Sequence, residues 1–217
     1  NIDTYDGNAR RLAMGVGCIV ISVGYRLAPE YKFPSAVEDC YSVTNWVFEN
    51  ADKINVDKKK IAVGGDSAGA NLATVVALMA RDKDGPTLCL QVLVCPATDR
   101  NFPSTNFDES EIPKGNKDWW WNEYLRDESD ASNPYACPMQ AESFDGLPGA
   151  LVITSEFDEL RDEGEAYAER LKQAGIATTC TRYRGMFHVF HMYPDSIEAA
   201  RLALNQQCSA LKNAFNL

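Results

Sequence analysis

The sequence predicts an α/β protein whose mostly parallel sheet is covered by helices on both faces. Short runs rich in apolar and β-branched residues alternate with helix-like patterns along the chain, and this order builds βαβ units. The runs are continuously apolar, as in LCLQVLVCPA, which fits strands buried on both faces of a sheet. At 217 residues, the chain 1–217 is predicted to form a single domain.

The elements follow from these patterns in chain order. The run CIVISVGY indicates a first strand, and apolar residues at helical spacing indicate the helix after it. KIAVGG then predicts a strand that leads into a helix beginning at Ser67, and Gly175 ends a later helix. The predicted strands are 18–25, 60–65, 88–97, 149–156 and 178–184, and the predicted helices are 35–51, 67–82, 160–174 and 196–213.

The segment 101–146 breaks this alternation. It is rich in Pro, Asp and Ser, and it contains KDWWWNEYL, which predicts a short helix at 117–125 over the C-terminal edge of the sheet. Ligands of open parallel sheets bind beyond the carboxyl ends of the strands. Catalytic residues are therefore expected in loops that follow strands.

Composition excludes several classes of protein. The formal net charge of −10 argues against a nucleic-acid partner, because phosphate binding needs clustered Lys and Arg. No run approaches the ~18 apolar residues of a membrane span. The seven cysteines are scattered without a C-x-x-C pair, which predicts free thiols in a reducing, cytoplasmic setting and no zinc site. A targeting signal upstream of Asn1 would not be visible in these residues.

A glycine-framed serine follows the second predicted strand. Residues Gly65, Asp66, Ser67, Ala68 and Gly69 match G-x-S-x-G between a strand and a helix. In a nucleophile elbow this turn is strained, and glycines two positions on either side of the serine avoid clashes. The alternative is a helix N-cap serine in a glycine-rich turn.

A serine nucleophile needs a base, and the chain contains only two histidines, His188 and His191. His188 lies in a loop just after the predicted strand 178–184, where an imidazole can reach over the sheet edge. His191 lies near the start of the final helical region, where a structural role is the alternative. The sequence therefore favours His188 as the base.

Asp158 follows the strand 149–156 and is the candidate that orients the base. The alternatives are that Asp158 only caps the next helix, or that Glu156 or Asp162 supplies the acid. The chain order serine, acid, histidine is the order found in α/β-hydrolases. Three candidates at strand ends in this order predict a Ser–His–Asp triad.

Four segments together resemble the hormone-sensitive-lipase-like family of α/β-hydrolase carboxylesterases. They are YRLAPEYKFPSAVEDC, GDSAGANLA, EFDELRDEGEAYAERL and GMFHVF, and the similarity runs over essentially the whole chain. The resemblance implies a Ser67–His188–Asp158 triad that hydrolyses small esters of short to medium acyl chains, without a metal or diffusible cofactor. It also implies a homodimer contact through strand 178–184 and the final helix.

The sequence departs from the family pattern in three places. Ala70 and Gly24 stand where the family commonly has glycine and aspartate, and these differences are minor. The family also carries an H-G-G-G loop just upstream of the segment that matches NIDTYDGNARRLA, and the printed residues contain no such loop. The resemblance therefore predicts an N-terminally incomplete hydrolase domain without the family's first strands, its cap segment and that loop.

The absent loop would provide oxyanion-hole donors, whereas the backbone N–H of Ala68 is still present. Loss of one such donor costs on the order of 10²–10³ in rate. Since the triad and the oxyanion hole contribute separately, we expect a weakened hydrolase.

Two other functions remain open at the level of sequence. The incomplete oxyanion hole fits a non-catalytic ligand-binding module on the same fold, such as the plant gibberellin receptors, whereas the intact His188 argues against it. A serine peptidase or acyltransferase would share the triad. A set of aromatic side chains is a candidate for the substrate pocket wall, with core packing as the alternative: Phe33, Phe102, Phe107, Trp119, Trp120, Trp121 and Phe190.

Overall fold

The computed structural model describes residues 1–103 and 117–217, and within them it has a four-stranded sheet with helices on both faces. The strands lie in the order β1-β2-β3-β4, and every neighbouring pair is parallel. This confirms the predicted fold class. The strands are β1 (Ala62–Asp66), β2 (Leu90–Val94), β3 (Gly149–Phe157) and β4 (Thr178–Phe187).

In residues 1–103 and 117–217, six α-helices and three short 3-10 turns connect and cover these strands. The helices are α1 (Ile2–Val16), α2 (Ser35–Glu49), α3 (Ala68–Asp82), α4 (Lys117–Tyr124), α5 (Arg161–Gln173) and α6 (Glu198–Phe215). The 3-10 turns are Glu128–Ser132, Pro138–Gln140 and Phe190–Met192. No helix in the described part of the chain is both long and apolar enough to cross a membrane.

Alternate residues of the central strands pack on opposite helical layers. Leu93 of β2 and Val152 of β3 face the layer that includes α3 and α5. Their neighbours Val92, Leu151 and Ile153 lie in a second core with α6. Burial on both faces is why these strands read as continuous apolar runs.

The register of the sheet brings the loops after the strands to one edge. Asp66 pairs with Val94, and Val94 pairs in turn with Ile153. Since all four strands are parallel, the residues that follow β1, β3 and β4 lie at the same carboxyl edge.

Helix α1 was not predicted, although both of its ends carry recognisable signals. The Asn1 side chain accepts a hydrogen bond from the Thr4 N–H, as an N-cap residue does. Gly17 ends the helix in the left-handed conformation, with φ of 78°. These two signals would have identified the helix from the sequence.

The predicted strand 18–25 is wrong, because this segment forms no strand in the described residues. A strand needs a neighbouring backbone for its hydrogen bonds, and β1 pairs only with β2 among the described strands. The residues around Ile19 to Gly24 and those of β1 instead line a common cavity of about 1030 Å³. Apolar side chains of the segment, such as Ile19 and Ile21, are therefore exposed.

Candidate active site

Ser67 lies in the turn between β1 and α3, with a strained backbone. Its φ of 52° and ψ of −119° are unfavourable for a residue with a side chain. A Cβ on Gly65 would lie 2.4 Å from the Gly69 backbone, whereas a Cβ on Gly69 would meet nothing within 4 Å. Position 65 therefore has no room for a side chain, and glycine is required there. The prediction that Gly69 is needed to avoid a clash is wrong.

The Ser67 side chain faces His188 rather than the helix. Ser67 occupies the N-cap position of α3, but its side chain makes no capping hydrogen bond. Its Oγ lies 3.0 Å from Nε2 of His188. The N–H of Ala68 is in the first turn of α3, where a helix offers no carbonyl partner four residues earlier. It is therefore available to an oxygen bound next to Ser67.

Asp158 uses both carboxylate oxygens. Oδ2 lies 2.9 Å from Nδ1 of His188, and Oδ1 accepts a hydrogen bond from the Leu160 N–H at 3.0 Å. Leu160, and not Asp158, is the N-cap residue of α5, so the alternative that Asp158 caps this helix is wrong. The Asp158 carboxylate instead lies between the Leu160 N–H and the His188 ring. Because β3 continues to Phe157 and β4 to Phe187, Asp158 and His188 each follow a strand directly.

The competing acids and the second histidine have other environments. Glu156 accepts a hydrogen bond from the Gly185 N–H at 2.6 Å, and Asp162 pairs with Arg161 at 2.8 Å. His191 lies in the 3-10 turn before α6 and is 7% exposed, and its Nδ1 has no hydrogen-bond partner among the described residues. Burial lowers the pKa of His191, which favours the neutral form of its imidazole.

The environment of His188 raises its pKa above the ordinary value of 6.5. Burial by itself lowers this pKa and is the largest single contribution. The hydrogen bond and negative charge of Asp158, with the charges of Asp66 and Glu159, together outweigh burial. Carboxylates therefore surround His188 and stabilise its imidazolium form.

A hydrogen bond from α1 reaches the residue before Ser67. The Tyr5 hydroxyl donates to Oδ2 of Asp66 at 2.8 Å, and burial, followed by the Asp66 charge, raises the pKa of Tyr5. Sequence reasoning missed this contact because α1 itself was not predicted. The two residues are too far apart in sequence for a local pattern to connect them.

Three of the seven predicted pocket aromatics are core residues. Phe33 and Trp121 belong to one buried cluster, and Phe190 belongs to another. Trp119 and Trp120 are exposed and contact each other edge to face. The remaining two are Phe102, which is half-buried, and Phe107, which lies outside the described residues.

One group of side chains in the described residues has the spacing of metal ligands. Ligand atoms of Cys95, Asp158 and His188 lie within 4.8 Å of one another. Two of the three already hydrogen bond to each other, so a metal there would displace the Asp158–His188 contact. All seven cysteines are free thiols.

Comparison with known proteins shows similarity over nearly all of the chain. A family model described as the alpha/beta hydrolase fold matches residues 1–192. An arylesterase of Saccharolobus solfataricus is 42% identical over 198 residues. Esterase LipI of Mycobacterium tuberculosis is 36% identical over 217 residues. A Pyrobaculum calidifontis esterase of known structure is 43% identical, with a TM-score of 0.92.

The coverage of these matches is unequal. The alignments cover 88%, 98% and 98% of this chain, in the same order. They cover 63%, 68% and 72% of the respective relatives. The chain thus spans 63% of the length of the arylesterase.

Proposed function

Since the chain belongs to the hormone-sensitive-lipase-like family of α/β-hydrolases, we propose that it is a serine carboxylesterase. The catalytic residues in this proposal are Ser67 as nucleophile, His188 as base and Asp158 as the acid that orients it. The observation that carries the proposal is the continuous chain of two hydrogen bonds, 3.0 Å and 2.9 Å long, through the His188 ring. The esterases among the similar proteins provide independent support.

Acylation begins when Ser67 Oγ attacks the ester carbonyl carbon and His188 Nε2 takes the hydroxyl proton. The carbonyl electron pair moves onto oxygen, and the N–H of Ala68 donates to this oxyanion. When the tetrahedral intermediate collapses, the bond to the alcohol oxygen breaks and His188 returns the proton to the leaving alcohol. The acyl group remains on Ser67.

Deacylation repeats the same chemistry with water. His188 takes a proton from the water, whose oxygen attacks the acyl carbon, and then returns the proton to Ser67 as the carboxylic acid leaves. Asp158 fixes the tautomer of His188 and stabilises its imidazolium in both halves. The protons and bonds of both halves of the reaction are accounted for by Ser67, His188, the ester and water.

We further propose small esters of short to medium acyl chains as the substrates. This class is implied by the family that the motifs resemble, and the similarity to an arylesterase and to an esterase agrees with ester substrates. Hydrolysis of 4-nitrophenyl acetate, butyrate, octanoate and palmitate tests it. We expect higher kcat/KM on the shorter three, and a clear preference for palmitate would contradict the assignment.

The serine is tested by Ser67→Ala, with Ser209→Ala as a matched control. Ser209 is exposed on α6, and its hydroxyl donates only to a carbonyl of the same helix. Ser67→Ala should abolish burst and steady-state hydrolysis, whereas Ser209→Ala should hydrolyse like the unchanged protein. Equal rates for both variants would refute the proposed nucleophile.

We also propose a homodimer through β4 and α6. Strand β4 pairs only with β3 among the described strands, so its other edge is open. Such an edge readily pairs with a second chain. Analytical ultracentrifugation should then give twice the chain mass, and a monomer mass over the whole accessible concentration range would contradict the dimer.

A further inference from the structure

Cys95 lies at the end of β2 in an unusual backbone conformation. It is fully buried, and its φ of 47° is in the left-handed region that a residue with a side chain rarely adopts. Its N–H donates to the carbonyl of Ile153 on β3 at 2.7 Å. The residue is thus held between the two central strands, with its side chain directed by a strained turn.

The Cys95 thiol contacts groups around the proposed acid. Its Sγ lies 3.3 Å from Oγ of Ser155, which is also fully buried. Sγ, an oxygen of Asp158 and a ring nitrogen of His188 lie within 4.8 Å of one another. Burial, followed by the charge of Asp158, raises the pKa of the Cys95 thiol, while the hydrogen bond with Ser155 lowers it. The thiol is therefore protonated and can donate a hydrogen bond.

We propose that Cys95 and Ser155 form a positioning pair that holds the Asp158 carboxylate against His188. The proposal rests on the proposed function, and it adds two residues that act through Asp158 without touching substrate. Strands β2 and β3 bring the two side chains together next to the loop that carries Asp158. A ring nitrogen of His188 also lies within 4.8 Å of the same thiol, so the pair is next to the histidine as well.

The physical reason for such a pair is the precision that the acid requires. Asp158 is 1% exposed, so its orientation depends on packed neighbours rather than on solvent. A side chain in a catalytic group must be held within about 0.5 Å of its working position by packing and hydrogen bonds. The Leu160 N–H fixes one oxygen of Asp158, and the Cys95 thiol lies within 4.8 Å of a carboxylate oxygen of the same residue.

Kinetics of four variants test the pair: Cys95→Ala, Cys95→Ser, Ser155→Ala and the double variant Cys95→Ala/Ser155→Ala. We expect Cys95→Ala to lower kcat about tenfold with KM within about twofold, because displacement of the acid affects the transition state. Cys95→Ser keeps a donor and should recover most of kcat. The double variant should lose less than the product of the two single losses, because the residues act as one unit.

Cys137→Ala is the matched control for removing a buried thiol. Cys137 is also fully buried, and it belongs to the core cluster that contains Phe33 and Trp121. We expect it to keep kcat unchanged even where it lowers stability. Equal kcat for Cys95→Ala and Cys137→Ala would overturn the proposal, and so would equal kcat losses in Cys95→Ala and Cys95→Ser.

Titration of the His188 ring by NMR tests the same idea without any hydrolysis. The chain has two histidines, so a His191→Gln background leaves one imidazole to observe. Asp158, Asp66 and Glu159 all raise the pKa of His188. When Asp158 is displaced by Cys95→Ala, this pKa should fall, whereas Cys95→Ser and Cys137→Ala should leave it in place.

The two experiments separate failure of the pair from failure of the esterase assignment. If the unchanged protein hydrolyses no ester but the pKa of His188 falls in Cys95→Ala and in Ser155→Ala, and not in Cys95→Ser or Cys137→Ala, the pair is correct and the assigned activity is wrong. If hydrolysis depends on Ser67 but Cys95→Ala changes neither the pKa of His188 nor kcat, the proposed pair is wrong. Should Cys95→Ala not fold, Ser155→Ala provides the same comparison, and a pKa of His188 that does not change there contradicts the pair.

Discussion

The fully buried side chain of Asp158 contacts the ring of His188. Oδ2 of Asp158 lies 2.9 Å from Nδ1 of His188, and the two side chains are 0% and 39% exposed. A buried carboxylate beside a partly exposed imidazole stabilises positive charge on the ring while leaving Nε2 open to its partner. This relationship is the basis of the predictions about activity.

Replacement of Asp158 by Asn should remove activity without removing the nucleophile. The amide cannot hold the His188 tautomer that accepts the serine proton, so kcat should fall by roughly 10⁴-fold. Glu156→Gln is the control, because Glu156 contacts Gly185 instead of His188. Steady-state assays of both variants check this, and a loss of less than tenfold in Asp158→Asn would contradict the role.

The pH dependence of kcat/KM should follow His188. The base acts in its neutral form, so activity rises with pH as the ring loses its proton. The carboxylates around the ring raise its pKa above 6.5, and the half-maximal point should therefore lie above pH 6.5. Glu159→Gln should move this point to lower pH. A flat profile between about pH 5 and 8 would exclude His188 as the base.

Replacing each of the two glycines that frame Ser67 by alanine should change the stability of the protein in opposite directions. Gly65→Ala places a Cβ 2.4 Å from backbone atoms of Gly69, and such overpacking costs about 1–3 kcal/mol. Gly69→Ala meets nothing within 4 Å, and alanine in a helix is more stable than glycine by roughly 0.5–1 kcal/mol. Urea unfolding measures the stability of both variants. Equal destabilisation would contradict the difference in free space at Gly65 and Gly69.

Glu163 should make stability depend on pH. It is 1% exposed, it accepts a hydrogen bond from the Thr98 N–H at 2.6 Å, and it pairs with Lys117. Burial raises its pKa to about 7, from 4.5, against the opposing effect of Lys117. Because the folded state holds this proton more tightly, the stabilising contribution is complete below about pH 4.5 and is lost as pH rises through about 7.

The measurement is the free energy of unfolding of the unchanged protein relative to Glu163→Gln, from pH 4 to pH 8. Relative to the glutamine variant, the unchanged protein should lose up to about 3 kcal/mol over this range. Glu169→Gln, an exposed substitution on the same helix, controls for removal of one carboxylate. If the difference in free energy of unfolding between the unchanged protein and Glu163→Gln does not vary with pH, burial does not raise the pKa of Glu163.

Local patterns in the sequence place the three proposed catalytic residues at one edge of the sheet. Ser67, Asp158 and His188 each follow an apolar strand, and parallel strands bring such residues to one edge regardless of their distance in sequence. The contacts of Cys95 and Tyr5 with this site depend on packing between distant segments, which no local pattern records. The segment 18–25 has strand-forming residues, but a strand also needs a paired backbone, and propensity alone does not supply one.

The most direct test of the account is covalent labelling of Ser67 by a fluorophosphonate. Mass spectrometry of the intact protein should show one adduct, peptide mapping should place it on Ser67, and Ser67→Ala and His188→Ala should both lose it. A non-catalytic binding module has no activated serine to label. No adduct on the unchanged protein, or an adduct on another residue that persists in Ser67→Ala, would contradict Ser67 as the activated nucleophile.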